Sequence, residues 1–146
     1  MADVHKSVLI NYSVEQMYEL VTAVADYPEF LPWCRDVSII TQNETTLEAR
    51  IQVSFKGIQS FFHTRNTQHR PHTIEMAFVD GPFRSFYGSW RFTPLTAQAC
   101  KIEFHLHYAF SNFILEKVIG PVFSVIANTF VDCFVKRADE LYGQHE

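Results

Sequence analysis

From Phe113 onward, apolar residues recur at the spacing of one helix face: Val118, Val122, Ile126, Phe130, Cys133 or Phe134, and Leu141. No acid or base interrupts residues 118–131, which predicts that this part of the helix is buried. Nearly everything between Cys34 and Phe110 reads instead as strands. One long apolar helix after many antiparallel strands suggests a sheet curled around it, with a space between the two. Such a space suits a small-molecule container.

Fourteen Phe in 146 residues sharpen the question of what fills that space. Rings bury large areas but tile poorly against one another, so a Phe-rich interior either leaves a cavity or forms one large aromatic core. At this length the chain reads as a single domain, 1–146, long enough for a real core. No window reaches the roughly 18 apolar residues of a membrane span. The segment Met1-Ala2-Asp3-Val4-His5-Lys6 lacks the layout of a signal peptide. Cys34, Cys100 and Cys133 are odd in number and widely spaced, which fits reduced thiols. They show no CxxC and no pairing with His at zinc spacing, so no metal site is expected. These features describe a soluble cytoplasmic protein.

Along the chain, Val4, Lys6, Val8 and Ile10 alternate with His5, Ser7 and Leu9 as a first strand. Ser13-Val14-Glu15-Gln16 is a capping box for a helix running through about Val24 that buries Met17, Leu20, Val21 and Val24. Asp26 and Pro28 start a short helical turn that Pro32 ends. Strands are predicted at about 36–42, 45–55, 58–68, 72–79, 86–93 and 100–110. Turn chemistry at Gln42-Asn43-Glu44, Lys56-Gly57, Arg70-Pro71 and Pro94-Leu95-Thr96 separates them. Ser111 or Asn112 caps the final helix, and Gly120-Pro121 is a candidate kink.

Short turns between consecutive strands favour an antiparallel sheet. Leu47, Ala49, Ile51, Val53 and Phe55 share one face, as do Ile74, Met76 and Phe78, Trp90 and Phe92, and Ile102, Phe104, Leu106 and Tyr108. The expected fold is therefore α+β of the helix-grip kind: a curved antiparallel sheet of about seven strands around a long C-terminal helix, with two short helices after the first strand.

Four motifs then carry a resemblance: Tyr27-Pro-Glu-Phe-Leu-Pro-Trp-Cys34, Val79-Asp-Gly-Pro-Phe83, Trp90-Arg-Phe-Thr-Pro94 and Cys100-Lys-Ile-Glu-Phe-His-Leu106. In this order they resemble the coenzyme-Q-binding START-like proteins of the polyketide cyclase and lipid-transport superfamily. The same pattern marks the bacterial ribosome association toxins. The match runs from about Lys6 to Tyr142. The resemblance implies a START/Bet v-like helix-grip fold and a hydrophobic tunnel suited to ubiquinone or a related polyprenyl lipid. It also implies that most members do no known chemistry on the lipid they bind.

Three constellations bear on a site. In the segment 27–34, Phe30, Leu31 and Trp33 on a proline-stiffened loop either rim a cavity, dip into a bilayer surface, or plug the end of the sheet. At Asp80-Gly81-Pro82, a strong turn, Phe83 and Phe86 either overhang the cavity mouth or fill the sheet edge. Between Glu48 and Glu75 no acidic residue occurs, yet Arg50, Lys56, Arg65, Arg70, His63, His69 and His72 do. That stretch is either a positive face for phosphate, of lipid or of RNA, or an ordinary solvated surface. The net charge of −4 argues against nucleic acid, and DNA is not expected.

His105, His107 and Glu103 should lie on the sheet exterior, a poor place for a general base. No nucleophile elbow, phosphate loop or paired carboxylates are present, so no enzyme, catalytic residue or cofactor is expected. The tunnel lining is assigned to Trp33, Phe78, Trp90, Phe104 and Phe130, with Phe30, Leu31 and Phe83 at its mouth. The primary expectation is a quinone chaperone supporting respiration, in transient contact with the inner membrane surface. The alternative is a toxin that binds the large ribosomal subunit and blocks subunit joining, using Arg50, Lys56, Arg65 and Arg70.

Overall fold

The structure, a computed structural model, describes residues 2–143. Its elements in order are β1 (Ala2–Ile10), α1 (Val14–Thr22), a 3-10 turn (Val24–Glu29), β2 (Cys34–Gln42), β3 (Thr46–Phe55), β4 (Ile58–His69), β5 (Thr73–Asp80), β6 (Phe83–Thr96), β7 (Ala99–Phe110) and α2 (Phe113–Tyr142). The strands form one antiparallel sheet in the order β1-β7-β6-β5-β4-β3-β2. Every neighbour in that order except the β1–β7 pair is a hairpin, so local turns set most of the registers.

Two of those turns show how. Lys56 (φ 50°) and Gly57 (φ 81°) make the two-residue link between β3 and β4, with both residues at positive φ as the tightest hairpins require. That turn pairs Phe55 with Ile58 and carries the register to Leu47 against Asn66. At the other end of β5, the Gly81 N–H donates to the Asp80 carboxylate (2.8 Å). Gly81 sits at φ 145°, and a Cβ there would come within 3.1 Å of the Phe61 carbonyl oxygen.

The helices start where the caps predict. Ser13 Oγ accepts from the Gln16 N–H (3.1 Å), and Gln16 Oε1 accepts from the Ser13 N–H (3.0 Å), the reciprocal pair of a capping box. Asn112 Oδ1 accepts from the Leu115 N–H (2.9 Å) and begins α2. α2 continues through Pro121 to Tyr142. Its far end is tied to the first helical region, where the Tyr12 hydroxyl donates to Asp139 (2.6 Å).

The expectation that no window reaches a membrane span is corrected: α2 is long and apolar enough to cross a membrane by length and composition, because a few polar residues scattered along it do not lower its mean hydropathy enough. Here one side of it lies on the sheet: Ile119, Val122, Phe123, Ile126, Ala127, Val131, Phe134 and Ala138 are buried. The expectation that residues 118–131 are buried throughout is corrected. Val118 is 51% exposed, and Val125 and Leu141 also face outward. The absence of charge had suggested burial on every side, but a helix against a single sheet face can bury only about half its circumference.

The inner face of the sheet is aromatic at its centre. Trp90, 2% exposed, packs its ring against Phe104 (centroids 4.7 Å), Phe134 (5.3 Å), Phe130 (5.6 Å) and Phe92 (6.0 Å). Truncating so large a side chain at such a node should leave a cavity that the neighbouring rings cannot fill. Trp90→Ala is therefore expected to destabilise the fold by about 3–5 kcal/mol. Urea unfolding checks this, and a loss below about 1 kcal/mol would show that the core collapses around the gap.

Candidate functional site

Between α2 and the sheet lies a cavity of about 50 Å³. Its walls are Val24, Tyr27 and Trp33 from the first segments, Leu47, Ala49 and Ile51 from β3, and Phe62, Thr64 and Asn66 from β4. Met76, Phe86, Phe104 and Leu106 close it from the remaining strands, and Phe123, Ile126, Ala127 and Phe130 from α2. The void has a simple origin. Ala127 stands between Phe123 and Phe130 on the buried face of the helix, and Ala49 stands on the sheet; two short side chains leave room that the surrounding rings frame.

The lining is apolar except on β4, where Thr64 and Asn66 point inward and Gln68 continues the same buried face beyond the cavity. Buried polar atoms normally have partners. In this cavity two residues break that rule: neither Trp33 Nε1 nor Asn66 Oδ1 has a hydrogen-bond partner. One is a group that only donates, the other an atom that only accepts.

Of the eight residues assigned to the tunnel and its mouth, Trp33, Phe104 and Phe130 line this cavity. Trp90 lies behind Phe104 and Phe130 rather than on the wall. Leu31, 1% exposed, does not sit at a mouth, because the chain turns inward there, with the Leu31 N–H donating to the Tyr27 carbonyl (2.9 Å). Phe83 is 4% exposed instead of overhanging a rim: it packs on Phe123 (4.9 Å), Phe110 (5.1 Å), Phe86 (5.2 Å) and Phe78 (5.9 Å). Phe30 covers Phe134 (5.3 Å) and Tyr27 (5.9 Å), with Arg137 over its outer side.

Phe78 and Phe83 belong to an aromatic plug with Phe62, Phe86 and Phe123. β5 and β6 pair only from Thr73 to Ala77, so beyond Ala77 the two strands separate, and these rings fill the gap. Phe62 lines the cavity while it and Phe78 are half-buried, so the plug runs from the cavity wall to the surface.

The exterior basic stretch is partly paired with acids. Glu48 accepts from Arg65 (2.9 Å) and lies 2.8 Å from His63 Nε2, Arg70 pairs with Glu19 (2.6 Å), and the Arg50 guanidinium stacks over Phe61 (3.8 Å). Lys56 sits at the hairpin tip near the Phe55 ring. Of the two readings of this stretch, the solvated and paired surface describes Arg65, Arg70 and His63, whereas Arg50 and Lys56 contact rings. Glu19, far away in sequence, and Glu48, at the edge of the stretch, are brought onto its arginines by folding. His105 and His107 are on the exterior as expected, where they meet Asp3 of β1. Burial pushes the Cys34 and Cys100 thiols up to about 11, so both stay protonated and poor as nucleophiles near neutrality. Among the described residues, no group of three or more His, Cys, Asp or Glu could hold a metal ion.

A curved sheet gripping a long helix over an apolar cavity defines a helix-grip protein. Residues 10–135 match the family described as polyketide cyclase / dehydrase and lipid transport, and the chain belongs to that family. It is similar to the ribosome association toxin RatA of Escherichia coli (strain K12), 42% identical over 143 residues, covering 98% of this chain and 90% of that protein. It is also similar to coenzyme Q-binding protein COQ10 homolog B, mitochondrial, of Xenopus laevis, at 24% identity over 97% of this chain and 59% of that protein. Its fold matches that of the Zhui aromatase/cyclase of Streptomyces sp. R1128, with a TM-score of 0.79 at 15% identity over 95% and 94% of the two chains.

Two measurements check this site. The unpaired amide oxygen of Asn66 should cost the folded state about 1–3 kcal/mol, so Asn66→Leu, close in size, is expected to raise the urea midpoint. A lowered midpoint would mean that the amide has partners. On the exterior, Arg65 first and His63 second hold the Glu48 carboxyl below its ordinary value of 4.5. A carboxyl lowered on folding stabilises the protein above its ordinary value, and that stability is lost as the pH falls through the lowered one. Unfolding curves below about pH 4.5 should therefore fall less steeply for Glu48→Gln than for the parent; parallel curves would show that the cluster is inert.

Proposed function

We propose that the chain binds a ring lipid with a polyprenyl tail, ubiquinone or a close relative, in the cavity under α2, and that it serves respiration as a chaperone for that lipid. The observation that carries this reading is an aromatic cavity in whose wall Trp33 holds an unpaired donor and Asn66 an unpaired acceptor. Of the five buried side-chain polar atoms without a partner among the described residues, these are the two that belong to cavity-lining residues. The lipid transport named in the family's description, beside polyketide cyclase and dehydrase, and the frog relative's name as a coenzyme Q-binding protein support the same class of ligand.

The physics of retention is that of apolar burial. Each CH₂ taken from water gains about 0.8 kcal/mol, so a few isoprene units supply substantial affinity before entropic losses. A cavity of about 150 Å³ accepts a benzene-sized molecule, and the present one holds about 50 Å³. A ring lipid therefore requires it to expand. The aromatic plug is the natural place: five Phe side chains fill a gap between strands where no backbone hydrogen bonds must break. Such a protein works beside the inner membrane surface, where the tail resides, and needs no catalytic group.

A second reading has its own support: identity of 42% over 98% of the chain to a protein named as a ribosome association toxin. On this reading the exterior acts on the large ribosomal subunit, and the two functions use different surfaces of one molecule. Native mass spectrometry and sucrose gradients, run on protein made in its own host, separate them. Ala127→Leu, which fills the cavity from the helix side, is expected to lose the bound lipid mass. The triple variant Arg50→Glu, Arg65→Glu, Arg70→Glu is expected to keep it. If the parent carries no lipid yet sediments with large subunits, and only the triple variant releases it, the toxin reading replaces the chaperone reading.

A further inference from the structure

The two orphan atoms in the cavity differ in kind. Trp33 Nε1–H can only donate a hydrogen bond, and Asn66 Oδ1 can only accept one. Both residues line the same 50 Å³ space, so a ligand that satisfies both must present an acceptor to one and a donor to the other. An oxidised quinone ring carries carbonyl and ether oxygens, all acceptors. Its reduced form carries two hydroxyls, each able to accept at its oxygen and donate through its hydrogen. Thr64, also on the wall, bears a hydroxyl that rotates to suit either form and does not discriminate.

Resting on the reading that the cavity holds a ring lipid, we infer that the Trp33–Asn66 pair makes this site selective for the hydroquinone over the quinone. With the hydroquinone bound, Trp33 donates to one ring oxygen and a ring hydroxyl donates to Asn66. With the quinone bound, Asn66 Oδ1 faces only lone pairs and stays buried without a partner. The penalty for such a group corresponds to about a tenfold weaker complex or more. By mass action, a tenfold preference for the reduced form raises the two-electron potential of the bound couple by about 30 mV. The protein would thus hold the lipid in the form that carries electrons, away from adventitious oxidation.

Calorimetric titration of the intact protein with decylubiquinol and with decylubiquinone, under argon, tests this. The parent should bind the quinol about tenfold more tightly. Asn66→Leu should abolish that preference by weakening the quinol alone, and Trp33→Phe should weaken both forms, since both offer Trp33 an acceptor. Equal affinities in the parent would mean that the Asn66 amide turns over and donates through Nδ2, and would overturn the selectivity while leaving lipid binding intact. A preference that survives Asn66→Leu would overturn it too. Binding of neither probe would remove the lipid reading itself.

Discussion

The whole arrangement depends on how the buried face of α2 meets the curved sheet. Two rings anchor that contact. Phe130 reaches Phe134, Phe104, Trp90, Trp33 and Tyr27 at 5.0 to 6.3 Å, and Phe123 reaches Tyr108, Phe83, Phe62, Phe110 and Phe86 at 4.7 to 6.4 Å. They stand two helical turns apart on one face. Between them the helix presents Ile126 and Ala127, and the sheet presents Ala49. Rigid aromatic clusters hold helix and sheet apart at both ends, and small residues in the middle cannot close the distance. The cavity follows from that spacing.

Function and stability pull against each other in that space. An all-apolar lining would fold more stably than one with an unpaired indole N–H and an unpaired amide oxygen. Tyr18, Ser85 and Arg137 carry further unpartnered buried atoms elsewhere, but Trp33 and Asn66 are the two whose side chains line the cavity. Sites that receive a ligand commonly carry such a deficit and recover it on binding.

The exterior follows a different logic. Most of its cations near β3 and β4 have carboxylate or aromatic partners: Arg65 and His63 on Glu48, Arg70 on Glu19, Arg50 on Phe61. Exposed pairs of this kind contribute little stability each, yet they lower the local positive potential. Any anionic partner of this face must compete with Glu48 and Glu19. Interior and exterior can therefore carry separate functions, with little coupling between them.

Much of this was legible in the sequence. Period-two alternation placed the seven strands within a few residues, the Ser13–Gln16 box fixed the start of α1, and four motifs in order pointed to the family. Alternation states which face of a strand a residue occupies, but not where on the curve of the sheet it lies. Trp90 and Phe104 therefore looked equivalent, although only Phe104 reaches the cavity wall. The inward polar residues were missed because β4 is polar on both faces: Thr64 and Asn66 alternate with His63, Arg65 and Thr67. A signal was present in the Lys56-Gly57 turn, whose two-residue length fixes the register and sets Thr64 and Asn66 beside Ala49 and Leu47 on the inner face.

The sequence by itself determined the elements, their pairing and the presence of an aromatic interior, because propensity, periodicity and turn chemistry act over a few residues. Only the tertiary structure decided which rings plug the gap beyond Ala77 and which acids pair with Arg65, His63 and Arg70. It alone set the indole of Trp33 and the amide of Asn66 in the wall of one cavity. Those outcomes join residues that are distant along the chain, and their distances are set by the curvature of the sheet and the seat of the helix upon it, which no local rule contains.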